Sequence, residues 1–258
     1  NDYLYHNIGD SVALYTQDGK VLKQDEVLSY PCVGEDHPGL RYFRSVRTTG
    51  RNESTVVALF SAKLLNTGTS YMKMWMPASS DVSYFTALAP SAKTASSPYQ
   101  SKPSLVVTMR KEKPAVEEPF VVVYEPISDK LSTGLIESVD RIKLDSLGKK
   151  GCAIKVKTKE GDTFTLVNIL KDGPVILNNQ KCCGDFAIFA KRKGKNSVYV
   201  GNGSFVENKE FKVESENRGS FYMEYDQTSL LVRSNCPIKI QAKNGMLKEP
   251  FYLTGGER

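Results

Sequence analysis

The chain has 258 residues, 40% hydrophobic and 10% aromatic, with 19 Gly and 12 Pro, enough apolar material for the core of one large or two modest domains. That composition excludes a disordered chain and a disulfide scaffold. The formal net charge is +6, and it is uneven: residues 1–126 hold 13 basic and 13 acidic side chains, residues 127–258 hold 22 and 16. The second half therefore carries the whole excess, which suits a polyanion or, more plainly, a solvated lysine-rich surface.

The chain opens on Asn1–Asp10, which has neither a basic start nor an apolar stretch, so no signal peptide is read there. Apolar runs such as Phe120–Tyr124 stop far short of the roughly 20 residues that cross a bilayer, so no membrane span is expected. Strand-like runs follow at Thr55–Phe60, Tyr71–Met76, Leu105–Met109 and Phe120–Tyr124, and Ser61–Leu65 reads as at most a short helical turn. The segment Ala89–Pro103, rich in Ser, Ala, Pro and Lys, reads as an exposed loop.

In Ile154–Lys159 lysines alternate with branched residues, and Glu160-Gly161-Asp162 turns the chain into Thr163–Val167, a hairpin. Further runs are Phe186–Ala190, Ser197–Val200, Phe221–Tyr225, Ser229–Val232 and Ile238–Gln241. Turn signals sit between them, at Asp18-Gly19, Thr67-Gly68, Asp172-Gly173-Pro174, Gly201-Asn202-Gly203 and Asn244-Gly245. No long window keeps a helical apolar period. The expected fold is all-β: an antiparallel β-sandwich over residues 1–127, then a second, smaller β-sandwich or β-sheet module over 128–258. The boundary is placed at Glu125–Lys130, where a strand reads as ending at Pro126 and the charge balance changes.

Little in the sequence carries reaction chemistry. There is no Gly-rich phosphate loop, nucleophile elbow or zincin helix motif. The five cysteines (Cys32, Cys152, Cys182, Cys183, Cys236) are odd in number and lack C-x-x-C spacing, so most of them read as reduced small hydrophobes, with no metal site and no cofactor expected. Histidine is limited to His6, in a Tyr-Leu-Tyr-His-Asn run, and His37, in a turn-like segment, and both read first as structural.

Two segments suit an acidic glycan. In Arg41-Tyr42-Phe43-Arg44-Ser45-Val46-Arg47 guanidinium groups alternate with aromatic rings. Strict alternation puts Tyr42 and Arg44 on one face and Arg41, Phe43, Ser45 and Arg47 on the other. Forked donors suit carboxylates and sulfates, while cross-strand salt bridges are the plain alternative. Trp75, in Met72–Pro77, reads as core or inter-sheet packing, or as a platform on which a sugar ring stacks. The dense basic run Lys191–Lys195 reads as a hairpin tip.

The order of Asp2–Asp10, Met72–Pro77, Tyr84–Pro90 and Pro119–Pro126 resembles the β-sheet half of heparinase II/III-like polysaccharide lyases, best over residues 1–127. The resemblance implies a sandwich that follows a helical toroid in the same gene product. It also implies a uronic-acid polysaccharide or oligosaccharide as partner, cleavage by β-elimination, and a periplasmic or extracellular location. The chain contains no toroid, so no catalytic residue is carried over. The expected role is a non-catalytic sandwich region, with Tyr5, His6, Arg41, Arg44, Arg47 and Trp75 as candidate glycan contacts. The alternative is a stand-alone carbohydrate-binding or structural β-sandwich without enzymatic activity. Nucleic acid ranks last, since no recognition motif accompanies the basic charge.

Overall fold

The computed structural model describes residues 3–7, 11–27, 42–64, 68–89, 104–115, 118–128, 134–144, 151–169, 173–177, 179–243 and 249–257. The described residues contain no α-helix, and every strand pairing among them is antiparallel, as the alternation requires. The chain forms two compact units, residues 1–115 with 120–135, and residues 116–119 with 136–258.

The first unit holds two sheets. The five-stranded sheet runs in the order β1 (Tyr3–Asn7), β8 (Ser104–Lys111), β7 (Val82–Ala89), β4 (Arg44–Arg51) and β3 (Asp25–Glu26). The four-stranded sheet runs β2 (Ser11–Thr16), β5 (Val56–Leu64), β6 (Gly68–Met76) and β9 (Val123–Ile127). Leu14, Val56, Ala58, Met74 and Met76 from the second sheet share one buried cluster with Val82, Tyr84, Val107 and Met109 from the first. Two sheets that fill one core from facing sides make a β-sandwich. The opposite face of the five-stranded sheet is apolar too, with Val46, Phe85, Ala87, Ala89 and Val106 buried together.

Two local expectations change here. Ser61–Leu64 continues β5 and pairs with β6, because cross-strand partners from Tyr71 to Gly68 hold it extended; Leu65 lies outside the described residues. Pro126 does not end its strand: it sits inside β9, opposite Met72. Proline lacks the N–H a central strand would need, and β9 is an edge strand, where that donor is dispensable.

The second unit is a single twelve-stranded sheet. Its main path is β10 (Ile136–Ile142), β11 (Gly151–Thr158), β12 (Thr163–Ile169), β15 (Phe186–Arg192), β16 (Lys195–Glu207), β17 (Phe211–Tyr225), β18 (Leu230–Ser234) and β21 (Gly256–Glu257). The long strands β16 and β17 also carry a second arm. There β14 (Gln180–Cys183) pairs with the end of β16 and with β13 (Val175–Leu177), while β19 (Ile238–Ala242) pairs with the start of β17 and with β20 (Phe251–Leu253). Residues of both arms enter one core, Val167, Phe189, Val198 and Met223 from the first, Leu177, Val206, Val213 and Ile240 from the second. The sheet bends so that one of its faces encloses its own core.

The bend lies where the sequence suggests a turn. Gly201-Asn202-Gly203 stays inside β16, with Asn202 at φ 45°, and register shifts fall on both sides of Gly203. On β17 the partners of Gly203 and Phe205 are Gly219 and Glu214, so Ser215–Arg218 bulge opposite the single residue Ser204. The corner is too tight for side chains: a Cβ on Gly203 would lie 2.4 Å from the Cys183 carbonyl oxygen and from Val200 Cγ1, and one on Gly219 would lie 2.4 Å from Cys236 Sγ. Gly203→Ala is expected to destabilise the second unit by about 1–3 kcal/mol, the usual range for overpacking, read as a lower urea midpoint.

Candidate functional site

The described residues among the six sequence-derived contacts fall on three different strands. Arg41 lies outside the described residues, as do the side chains of Tyr5 and His6. The backbone of β1 places Tyr5 opposite Thr108 and His6 opposite Val107, on an edge of the five-stranded sheet. Arg44 and Arg47 belong to β4, and β8 and β7 intervene, so the two strands stand about 14 Å apart at the usual strand spacing. Trp75 belongs to the other sheet.

The arginine strand departs from strict alternation. Ser45 adopts φ 50°, and Arg44 pairs with Leu88 while Arg47 pairs with Thr86, so one extra residue is accommodated between them. The bulge turns Val46 into the apolar cluster and leaves Arg44 and Arg47 exposed on a common face. Alternation by residue number separates the two arginines; the bulge reunites them. Tyr42, 61% exposed, precedes them.

Trp75 offers no stacking platform. It is 3% exposed, its Nε1–H donates to Glu125 Oε2 at 3.0 Å, and the Lys73 ammonium lies 5.9 Å from its ring centroid. Glu125, itself buried, also accepts from the Leu135 backbone N–H. A sugar would need the ring face that packing covers. In this fold Trp75 is a packed side chain anchored on Glu125.

Charged groups of the basic run are engaged locally. Lys193 at φ 47° and Gly194 at φ 84° form the β15–β16 hairpin tip. Asp162 accepts from the Lys193 backbone N–H at 3.2 Å and from Arg192 Nε at 3.4 Å, and Lys195 pairs with Glu224 at 3.0 Å. These contacts tie the tip to the β11–β12 turn and to β17.

Sequence reasoning missed an open pocket of about 590 Å³ in the second unit, lined by Glu214, Ser215, Glu216, Asn217, Lys239 and Tyr252 among others. Glu214, Lys239 and Tyr252 are directly opposite one another on β17, β19 and β20, forming one cross-strand row. Lys239 Nζ lies 5.7 Å from the Tyr252 ring centroid, and Lys212 pairs with Glu214 at 2.7 Å. The signal was present only as alternation in Lys212-Val213-Glu214, since the bulge that completes the wall depends on pairing with β16. Among the described residues no group of His, Cys, Asp and Glu is arranged to hold a metal ion.

One buried ion pair serves stability. Lys111, fully buried, donates from Nζ to Asp81 Oδ1 at 3.3 Å, and the Ser79 hydroxyl donates to the same oxygen at 2.5 Å. Burial alone would raise the Asp81 pKa, but the Ser79 hydroxyl, the Lys111 ammonium and the Lys113 N–H together hold it below its ordinary value of 3.8. A lowered folded pKa stabilises the fold above the unfolded pKa, and that contribution is lost as pH falls through the folded one. The first unit is thus expected to lose stability on acidification below about pH 4, a dependence that Asp81→Asn flattens. Lys111→Met, which leaves Asp81 buried without its cation, is expected to cost about 3–5 kcal/mol at neutral pH. Both are read from urea midpoints across a pH series.

Neither a protein-family model nor a solved structure matches the sequence. An endo-acting ulvan lyase of Formosa agariphila is similar: 30% identical over 230 residues, which cover 86% of this chain and 28% of that enzyme. The chain thus spans little more than a quarter of the length of this relative, and the similar stretch must draw on both β units, since neither alone is long enough. The similarity relates the chain to a polysaccharide lyase.

Proposed function

We propose that this chain is the non-catalytic β region of a heparinase II/III-like polysaccharide lyase that acts on uronic-acid-containing glycans outside the cytoplasm. The observation that carries the reading is the similarity to an enzyme named for ulvan cleavage, which extends over 86% of the chain. The non-catalytic part is supported by the 28% of that enzyme the chain matches, a fraction that leaves most of the relative's length to supply the reaction. In such a β-elimination a base removes the proton beside the uronate carboxylate while polar groups neutralise the carboxylate. What this chain's residues contribute is a surface.

Arg44 and Arg47, exposed on one face of β4, suit carboxylate and sulfate groups of a polyanionic chain. A packing role beside a helical toroid finds support on the second unit. Leu166, Ile188, Tyr199 and Tyr222 lie opposite one another in a row across four strands, with Leu166 36% exposed and the others half-buried. No helix among the described residues is long and apolar enough to cross a membrane.

Gel electrophoresis with ulvan cast into the matrix tests the reading. The wild-type chain is expected to be retarded at low salt and progressively released as salt screens the contacts, with Arg44→Ala/Arg47→Ala weakening retention severalfold. The same mixture is expected to develop no ultraviolet absorbance from unsaturated uronate. Unretarded migration overturns the glycan reading, and rising absorbance overturns the non-catalytic one.

A further inference from the structure

We propose that the pocket between β17, β19 and β20 is a subsite for one neutral, hydroxyl-rich sugar unit of a glycan chain, stacked on Tyr252. The inference deepens the polysaccharide reading and rests on it. Tyr252 is 66% exposed, although it stands on a strand whose neighbour Leu253 is buried in the core. The Lys239 ammonium lies 5.7 Å from its ring centroid, and a tyrosine ring so largely exposed at the pocket lining offers a surface for the C–H face of a pyranose.

The polar wall comes from the bulge. Ser215–Arg218 have no one-to-one partners on β16, and this displacement brings Ser215, Glu216 and Asn217 to the pocket lining beside Glu214. The carboxylates accept from sugar hydroxyls, the Asn217 amide both accepts and donates, and the Ser215 hydroxyl is held by donation to the Pro237 carbonyl at 2.6 Å. That bond fixes the Ser215 part of the wall before any ligand arrives. Arg218 at the end of the bulge donates to the Asn202 carbonyl through Nε at 3.0 Å and to Asp185 Oδ1 through Nη2 at 2.5 Å, anchoring the bulge to the glycine corner. Asn235 Oδ1 accepts from the Ser220 N–H at 2.7 Å just beyond it. A preformed wall spares the ligand the entropy of ordering it.

Charge selects the sugar. A uronate or sulfate in this pocket would face two carboxylates, Glu214 and Glu216, against the single ammonium of Lys239. A neutral unit meets no such repulsion. In a polymer that alternates charged and neutral units, this pocket takes the neutral ones, while the charged ones fall beyond its rim.

The test is amide chemical-shift mapping and titration of the whole chain with neutral xylo-, manno- and cello-tetraose and with tetragalacturonate. At least one neutral tetrasaccharide is expected to shift amides of 214–217, 239 and 252, with tetragalacturonate at least tenfold weaker. Tyr252→Ala is expected to weaken the neutral ligand about tenfold, and Tyr252→Trp to retain it. Both substitutions fall on an exposed side chain, and an unchanged urea midpoint confirms the fold. Equal affinity for tetragalacturonate, indifference to Tyr252→Ala, or no shift with any neutral ligand overturns the subsite. If ulvan still retards the chain while the pocket stays silent, only the subsite fails. If the pocket binds a neutral ligand but ulvan does not retard the chain, only the polyanion reading fails.

Discussion

A sheet pairs its backbone from strand to strand but leaves two faces, and in a chain whose described part has no helices the main cores form where another sheet, or a fold of the same one, covers an apolar face. The first unit uses the former: Met74 and Met76 of one sheet meet Tyr84 and Met109 of the other. The second uses the latter, and its cost is concentrated at the corner in β16 and β17. There Gly203 and Gly219 let backbone and sulfur approach within distances no Cβ would tolerate. Both the core of the second unit and the pocket on its outside depend on this bend. It brings Phe189 and Ile240 into one cluster, and the residues it forces out of register form the pocket wall.

Alternation made much of the strand pattern legible. Lysines and branched residues alternate in β11, and the hairpin into β12 falls where Glu160-Gly161-Asp162 puts it. What stayed hidden depends on pairing between distant segments. A bulge at Ser45 shifts the period by one and puts Arg44 and Arg47 on the same face, a change no residue type announces. Pro126 reads as a terminator because proline lacks a donor, yet an edge strand needs none on its open side. Gly201-Asn202-Gly203 has the composition of a turn, and a corner within one long strand demands the same positive-φ and small residues. The local chemistry was read correctly; its tertiary use was not determined by it.

The candidate contacts fared according to the same distinction. Trp75 was ambiguous between packing and display because a tryptophan suits both, and the buried carboxylate of Glu125, 50 residues away in sequence, decides for packing. Tyr252 carried no sequence signal, since a lone tyrosine in Phe251-Tyr252-Leu253 becomes a displayed ring only once Lys239 and Glu214 stand beside it in a row. A pocket lined by two carboxylates and one ammonium, on a chain of net charge +6, shows how little the total charge says about a single surface.

The central claim is that these β units hold a glycan without cutting it. Size-exclusion chromatography with light scattering, on a mixture of the chain and intact ulvan at low ionic strength, addresses that claim directly. The account predicts that protein travels with the polymer and that the polymer's molar mass stays constant over hours. A falling molar mass, or protein that elutes entirely apart from the polymer, would contradict it.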